Sequence, residues 1–154
     1  MRILVDADAF PGDIKDILFR AVERVGVKLI MVASRYIRIP ASDLFSSIAV
    51  KDGHNAADDR IVEMVEVDDL VITSDIPLAD RVISKGAYAL NPRGELYSSI
   101  NIKDKLAMRG LMDELRVSGE ITGGPPSFDK KARSRFADSL DAFLAKHRKK
   151  NNLS

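Results

Sequence analysis

Cysteine is absent from the 154-residue chain, which excludes disulfides, iron–sulfur clusters and thiolate zinc sites. Histidine occurs only twice, at His54 and His147, so a histidine-built metal cluster is not expected either. Long hydrophobic runs are missing at the start. MRILVDADAF meets an acid after a few residues, too soon for a signal peptide or a membrane span, and the expectation is a cytoplasmic protein with no membrane contact. What is present is the balance of an ordinary globular domain, 45% hydrophobic and 31% charged, in a chain long enough to bury one core without covalent staples.

The net charge of +1 conceals a polar distribution. From Asp52 to Asp80 nine acids face the single base Arg60, a net of −8, whereas from Asp129 to Lys150 eight bases face three acids, a net of +5. An acidic centre with a basic tail suits a protein that holds cations in one place and polyanions in another, although solvated helix faces produce the same asymmetry.

Arg2–Asp6 is an apolar run closed by an acid, the pattern of a central parallel strand. Pro11 opens a helix carrying Ile14, Ile17, Leu18, Ala21, Val22 and Val25, Gly26 stops it, and Val27–Ala33 forms the next strand. Residues 34–53 are less regular, with a short strand near Ile48–Val50. Asn55 is placed to cap a helix with Ala57, Ile61, Met64 and Val65 on its apolar face, followed by the strand Leu70–Thr73. The pattern then repeats as a helix over Ile76–Lys85, a Gly86 stop and the strand Ala87–Leu90. A turn at Asn91–Gly94, a helix over Ile102–Val117, a Gly123–Pro126 loop, a basic helix over 128–147 and a frayed tail over 148–154 complete one domain spanning 1–154. The alternation predicts an α/β fold with three α/β/α layers and a mainly parallel sheet.

Ligands of such sheets gather beyond the carboxyl ends of the strands. Asp6 ends the first strand, Asp75 follows the strand Leu70–Thr73, and Asp58 opens the helix before it. Ile61, Val62 and Val65 share the face of Asp58, so Asp58 is expected to turn towards the sheet and Asp59 towards solvent. Carboxylates grouped in one crevice repel unless a cation or protons intervene, and hard Mg²⁺ or Mn²⁺ suits an all-oxygen set. Each acid also has a plain structural explanation: Asp75 as a helix cap, Asp58 as the third residue of a capping arrangement with Asn55, Asp8 as a turn former. Thr73 and Ser74 flank this edge and are candidates to orient a water or a phosphate oxygen, against local backbone bonding as the alternative. Lys130, Lys131, Arg133 and Arg135 at the start of the final helix are candidate phosphate contacts, or a solvated face. No aromatic residue is interleaved with these bases, so base stacking is not expected there. Arg81 is expected to neutralise a nearby carboxylate.

The segment Asn55–Leu90, NAADDRIVEMVEVDDLVITSDIPLADRVISKGAYAL, resembles the core of PIN-like and NYN nuclease domains, in which one acid opens a helix and another follows an apolar strand. That resemblance implies Asp6, Asp58 and Asp75 as catalytic metal ligands. Over nearly its whole length the chain is similar to the YaiI/YqxD family of small bacterial proteins, through VDADAFP, ITSDIPLADRVISKGAYALNPRGELY and GGPPSF. Active PIN nucleases usually add an acid from a middle helix; here residues 34–53 offer only Asp43 and Asp52, and Asp8 or Asp80 is expected to fill that place. The leading expectation is therefore a metal-dependent nuclease or phosphodiesterase acting on RNA or DNA. Two alternatives stand beside it. One is a non-catalytic module binding metal, nucleotide or nucleic acid; the other is a haloacid-dehalogenase-like phosphatase built on Asp6, Asp8, Lys51 and the Asp75/Asp80 pair.

Overall fold

Strand β1 (Arg2–Asp6) lies inside a six-stranded sheet of order β3-β2-β1-β4-β5-β6, pairing in parallel with β2 (Lys28–Ala33) on one side and β4 (Leu70–Ile72) on the other. Ile3, Leu4 and Val5 are fully buried, as a continuous apolar run requires when both faces of a strand are covered. The computed structural model describes residues 1–51, 55–119 and 129–152, with side chains through His147; the Gly123–Pro126 loop, Asp52 and His54 lie outside the described residues.

β3 (Phe45–Ala49) extends the sheet beyond β2, and β5 (Tyr88–Leu90) extends it beyond β4. All of these pairings are parallel. The exception is the two-residue β6 (Leu96–Tyr97), which returns antiparallel to β5 across the Asn91–Gly94 turn. Gly94 sits at φ +94°, and a Cβ there would stand 2.6 Å from the carbonyl oxygen of Arg135, so the turn and the final helix approach closer than any side chain permits.

Alternation along β1 sorts the helices into layers. Ile3 and Val5 face a core that includes Leu18 and Val22 of α1 (Lys15–Val25) together with Phe136, Leu140, Phe143 and Leu144 of α5 (Lys130–Asn152). Leu4 faces the other core, formed with Ile61 of α2 (Ala56–Met64), Leu78 and Val82 of α3 (Ile76–Ser84), and Ile102 of α4 (Ile102–Val117). The result is the three-layer α/β/α arrangement with a mostly parallel sheet. Ile102 is the one buried residue of α4; the rest of that helix is half-buried or exposed.

Some local expectations shift. The helix after Pro11 begins with a 3-10 turn over Gly12–Ile14. Asn55 does stand at the N-cap of α2, but in the left-handed conformation (φ +69°) and without a side-chain cap bond. The final helix runs over Lys130–Asn152. His147 is buried and stacks on Phe143 at 4.0 Å between ring centroids, with Tyr88 close by, so the helix is pinned to the sheet at His147.

The opposite, amino edge of the sheet has its own acid. Asp69 accepts from the Arg2 backbone N–H and guanidinium and from the Glu66 N–H, each at 2.9 Å, and is almost fully buried. This member of the acidic run holds β1 to β4 and takes no part in the carboxyl edge. Among the described residues no helix is long and apolar enough to cross a membrane.

Candidate carboxylate site at the switch point

The strand order reverses direction between β1 and β4, the place where α/β sheets open a crevice at their carboxyl edge. Asp6 ends β1 there, and Thr73 and Asp75 follow β4. The Thr73 hydroxyl donates to Asp6 Oδ2 at 3.0 Å and accepts from the Asp75 N–H at 2.9 Å, so one buried hydroxyl joins the two strand ends. Thr73 is thereby committed on both sides, and its local structural role is realised. Asp75 caps α3 as well, accepting from the Leu78 N–H at 3.1 Å.

Asp58 arrives from α2 and comes within hydrogen-bonding reach of Asp75. Its carboxyl is pushed up to about 6, first by burial, then by the charges of Asp6 and Asp75 and by the bond to Asp75; Arg81 opposes the shift. Asp6 is also raised, chiefly by burial, with the Thr73 bond pulling down and Asp75 and Asp8 pushing up. The two neighbours on α2 part as helical geometry requires: Asp58 is half-buried at the crevice, while exposed Asp59 pairs with Arg81 at 2.9 Å.

A cavity of about 180 Å³ opens against this group, lined by Asp6, Asp8, Ser34, Val50 and the first turn of α2 through Asp58. Asp8 borders it but has both oxygens engaged by Ser34, through the backbone N–H (3.1 and 2.9 Å) and the hydroxyl (3.0 Å). Ser34, immediately after β2, was not anticipated, although a polar residue following a strand end is the signal that points to it. Asp80 stands five positions beyond the cap of α3, roughly 140° further around the helix, and its carboxylate makes no hydrogen bond or ion pair among the described residues. Asp43 precedes β3 and so belongs to the amino edge, away from the site. Exposed Lys51 follows β3 at the carboxyl edge.

Of the bases at the start of α5, Arg133 is engaged elsewhere. Arg133 donates to the carbonyl of Asp13 and reaches Asp16 at 3.5 Å, tying α5 to α1. Lys131 and Arg135 act on Asp129, whose carboxylate accepts from the Ala132 N–H at the start of the helix. Lys130, Lys131 and Arg135 line a shallow depression with Ser134. Ser74 is exposed between Thr73 and Asp75 and faces a second, larger cleft.

All the candidate ligands are oxygen donors, which fits a hard divalent ion, and two of the carboxyls are strained towards protonation in a way that a cation would relieve. Among the described residues, however, no group of three or more acids or histidines stands at coordination spacing. Asp58 instead stands close enough to Asp75 and Asp6 for both carboxylates to raise it.

Fold and site together define an α/β domain with a carboxylate cluster at its topological switch point. Residues 4–146 match the model of the family described as Uncharacterized BCR, YaiI/YqxD. The chain is 56% identical over 146 residues to a UPF0178 protein of Hahella chejuensis, covering 95% of this chain and 97% of the other. It is 52% identical over 150 residues to one of Photobacterium profundum (97% and 100% covered) and 55% identical over 145 residues to one of Shewanella baltica (94% and 97%). The chain belongs to the YaiI/YqxD family. No solved structure matches it.

Proposed function

We propose that the protein is a divalent-metal-dependent phosphodiesterase, a nuclease acting on RNA or DNA. The observation that carries this reading is the convergence of Asp6, Asp58 and Asp75, distant in sequence, at one carboxyl edge, where the Thr73 hydroxyl ties Asp6 to the Asp75 backbone and the charges of Asp6 and Asp75 raise Asp58. Folding gains nothing from crowding carboxylates in this way, and a function that binds cations gives a reason to keep them together. The resemblance of Asn55–Leu90 to PIN-like and NYN nuclease cores supports the same reading.

Asp6, Asp58 and Asp75 would hold Mg²⁺ or Mn²⁺, with Asp8 beside them. Bound there, such an ion supplies an activated water and neutralises charge on a phosphoryl group. The chain's own contribution is positional. Thr73 fixes Asp6 relative to Asp75, burial keeps Asp6 out of bulk water, and the first turn of α2 places its N-terminal dipole at the cavity, where an anionic oxygen is favoured.

The test is purified protein with Mg²⁺ or Mn²⁺ and mixed RNA and DNA substrates. Cleavage by the wild type and its loss in Asp6→Asn are expected; equal cleavage by both proteins would identify a contaminant. A second reading, a module that binds a cation without turnover, is favoured by the lack of coordination spacing among the described acids. Calorimetric Mn²⁺ binding with no cleavage of any substrate would select it.

A further inference from the structure

We infer that the large cleft beside the acidic cluster binds single-stranded nucleic acid, with α4 as its phosphate rail. The cleft measures about 590 Å³ and runs between the loop after β1, the turn before α3, the Asn91–Arg93 turn and α4. Four bases line it, Arg93, Lys105, Arg109 and Arg116, and no acid does. Glu95 and Asp113 reach two of these bases from outside the lining, so the wall of the cleft is basic where it meets solvent.

Lys105, Arg109 and Arg116 follow one another at i, i+4 and i+11, with Met108 and Met112 on the same face, so the bases form a row roughly 16 Å long. Arg109 makes no hydrogen bond or ion pair among the described residues. Lys105 pairs with Glu95 at 2.5 Å and Arg116 with Asp113 at 3.3 Å, both partly exposed contacts of the weak, screened kind that a phosphate displaces readily. Met108 remains 57% exposed although it borders a cavity. Together with Met112 it offers a polarisable apolar surface, which unstacked bases can cover and a duplex, with its bases turned inward, cannot.

The cleft is also aimed. Ala9, in its wall, adjoins Asp8, and Ser74 lies between Thr73 and Asp75, so a strand along α4 leads to the carboxylates. This inference deepens the phosphodiesterase reading and rests on it only for what happens to the strand on arrival.

The experiment is fluorescence anisotropy of the full chain with a labelled 12-nucleotide oligo-U RNA and a labelled oligo-dT of the same length, in EDTA so that binding is read without turnover. Wild-type binding is expected to weaken with salt and to exceed binding of a duplex of equal length. Arg109→Glu and Arg116→Glu are expected to weaken it at least ten-fold, and the slope of log affinity against log salt should become shallower by about 0.7 for every phosphate that is no longer neutralised. Lys28→Glu, the same charge change on the exposed amino edge, leaves binding unaltered. The inference is overturned if the α4 variants bind like wild type, if a Lys130→Glu, Lys131→Glu double variant on α5 abolishes binding instead, or if a glutamate 12-mer binds as well as RNA. Strand binding on α4 without cleavage under Mg²⁺ would keep the cleft and remove the hydrolytic reading. Cleavage indifferent to α4 would do the reverse.

Discussion

Asp58 and Asp75 meet side chain to side chain, one from the first turn of α2 and the other from the cap of α3, although Asp75 already accepts the Leu78 N–H. Two acids in hydrogen-bonding contact need a shared proton or a cation between them. Which of the two is present depends on pH and on metal.

The metal-free protein should therefore lose stability as pH rises from about 4 through 6. Asp58 sits at about 6 in the fold against 3.8 as its ordinary value, so in that interval the folded state holds the extra proton and alkali favours unfolding. Asp6 is displaced in the same direction. Asp16 and Asp129 are lowered and act with the opposite sign, but only as pH falls below the ordinary carboxylate range. Thermal melts in EDTA at pH 5 and 7.5 check this, the higher melting temperature being expected at pH 5.

Asp58→Asn separates the two roles of that residue. Removing its charge should stabilise the metal-free protein at pH 7.5 by on the order of 1 kcal/mol, once solvent screening of a half-exposed group is allowed for. It should also flatten the pH dependence and abolish the rise in melting temperature given by Mn²⁺. A variant that keeps both the pH slope and the Mn²⁺ response would show that Asp58 is a bystander.

Thr73→Val keeps the shape of a buried side chain while removing the hydroxyl that links Asp6 to the Asp75 backbone. The buried Asp6 carboxylate and the half-buried Asp75 N–H then lose their partner, a cost of about 1–3 kcal/mol measurable by urea denaturation. Thr73→Ser, which restores the hydroxyl, should recover most of it.

Asp69→Ala is the contrasting acid. It strips the partner from Arg2 at the amino edge and should cost about 3 kcal/mol or more. Mn²⁺ binding by the folded fraction should persist, because Asp69 stands at the far end of the strands from Asp6. Loss of Mn²⁺ binding by fully folded Asp69→Ala protein would break the division between a structural and a functional edge.

The parts readable from sequence were those with strong periodicity. β1 ends at Asp6 as its closing acid implied, α4 spans Ile102–Val117 as expected, and the Asp58/Asp59 division followed from helical geometry alone. β6 escaped notice because two residues carry no period. The burial of His147 depends on Tyr88 and Phe143, one of them on a strand far away in sequence, so tertiary packing overrode a local pattern of bases. The same limit hid the cleft. Arg93 and Arg116 belong to separate elements, and only the docking of α4 brings them to one wall.

The covering of β1 by Phe136, Leu140 and Leu144 has a consequence for biosynthesis. The strand emerges from the ribosome well over a hundred residues before the helix that shields one of its faces. Until that helix has left the tunnel, Ile3 and Val5 are covered on that side by α1 alone, and nascent chains still holding residues 130–147 inside the ribosome should be retained by chaperones at the exit while released full-length chains are not.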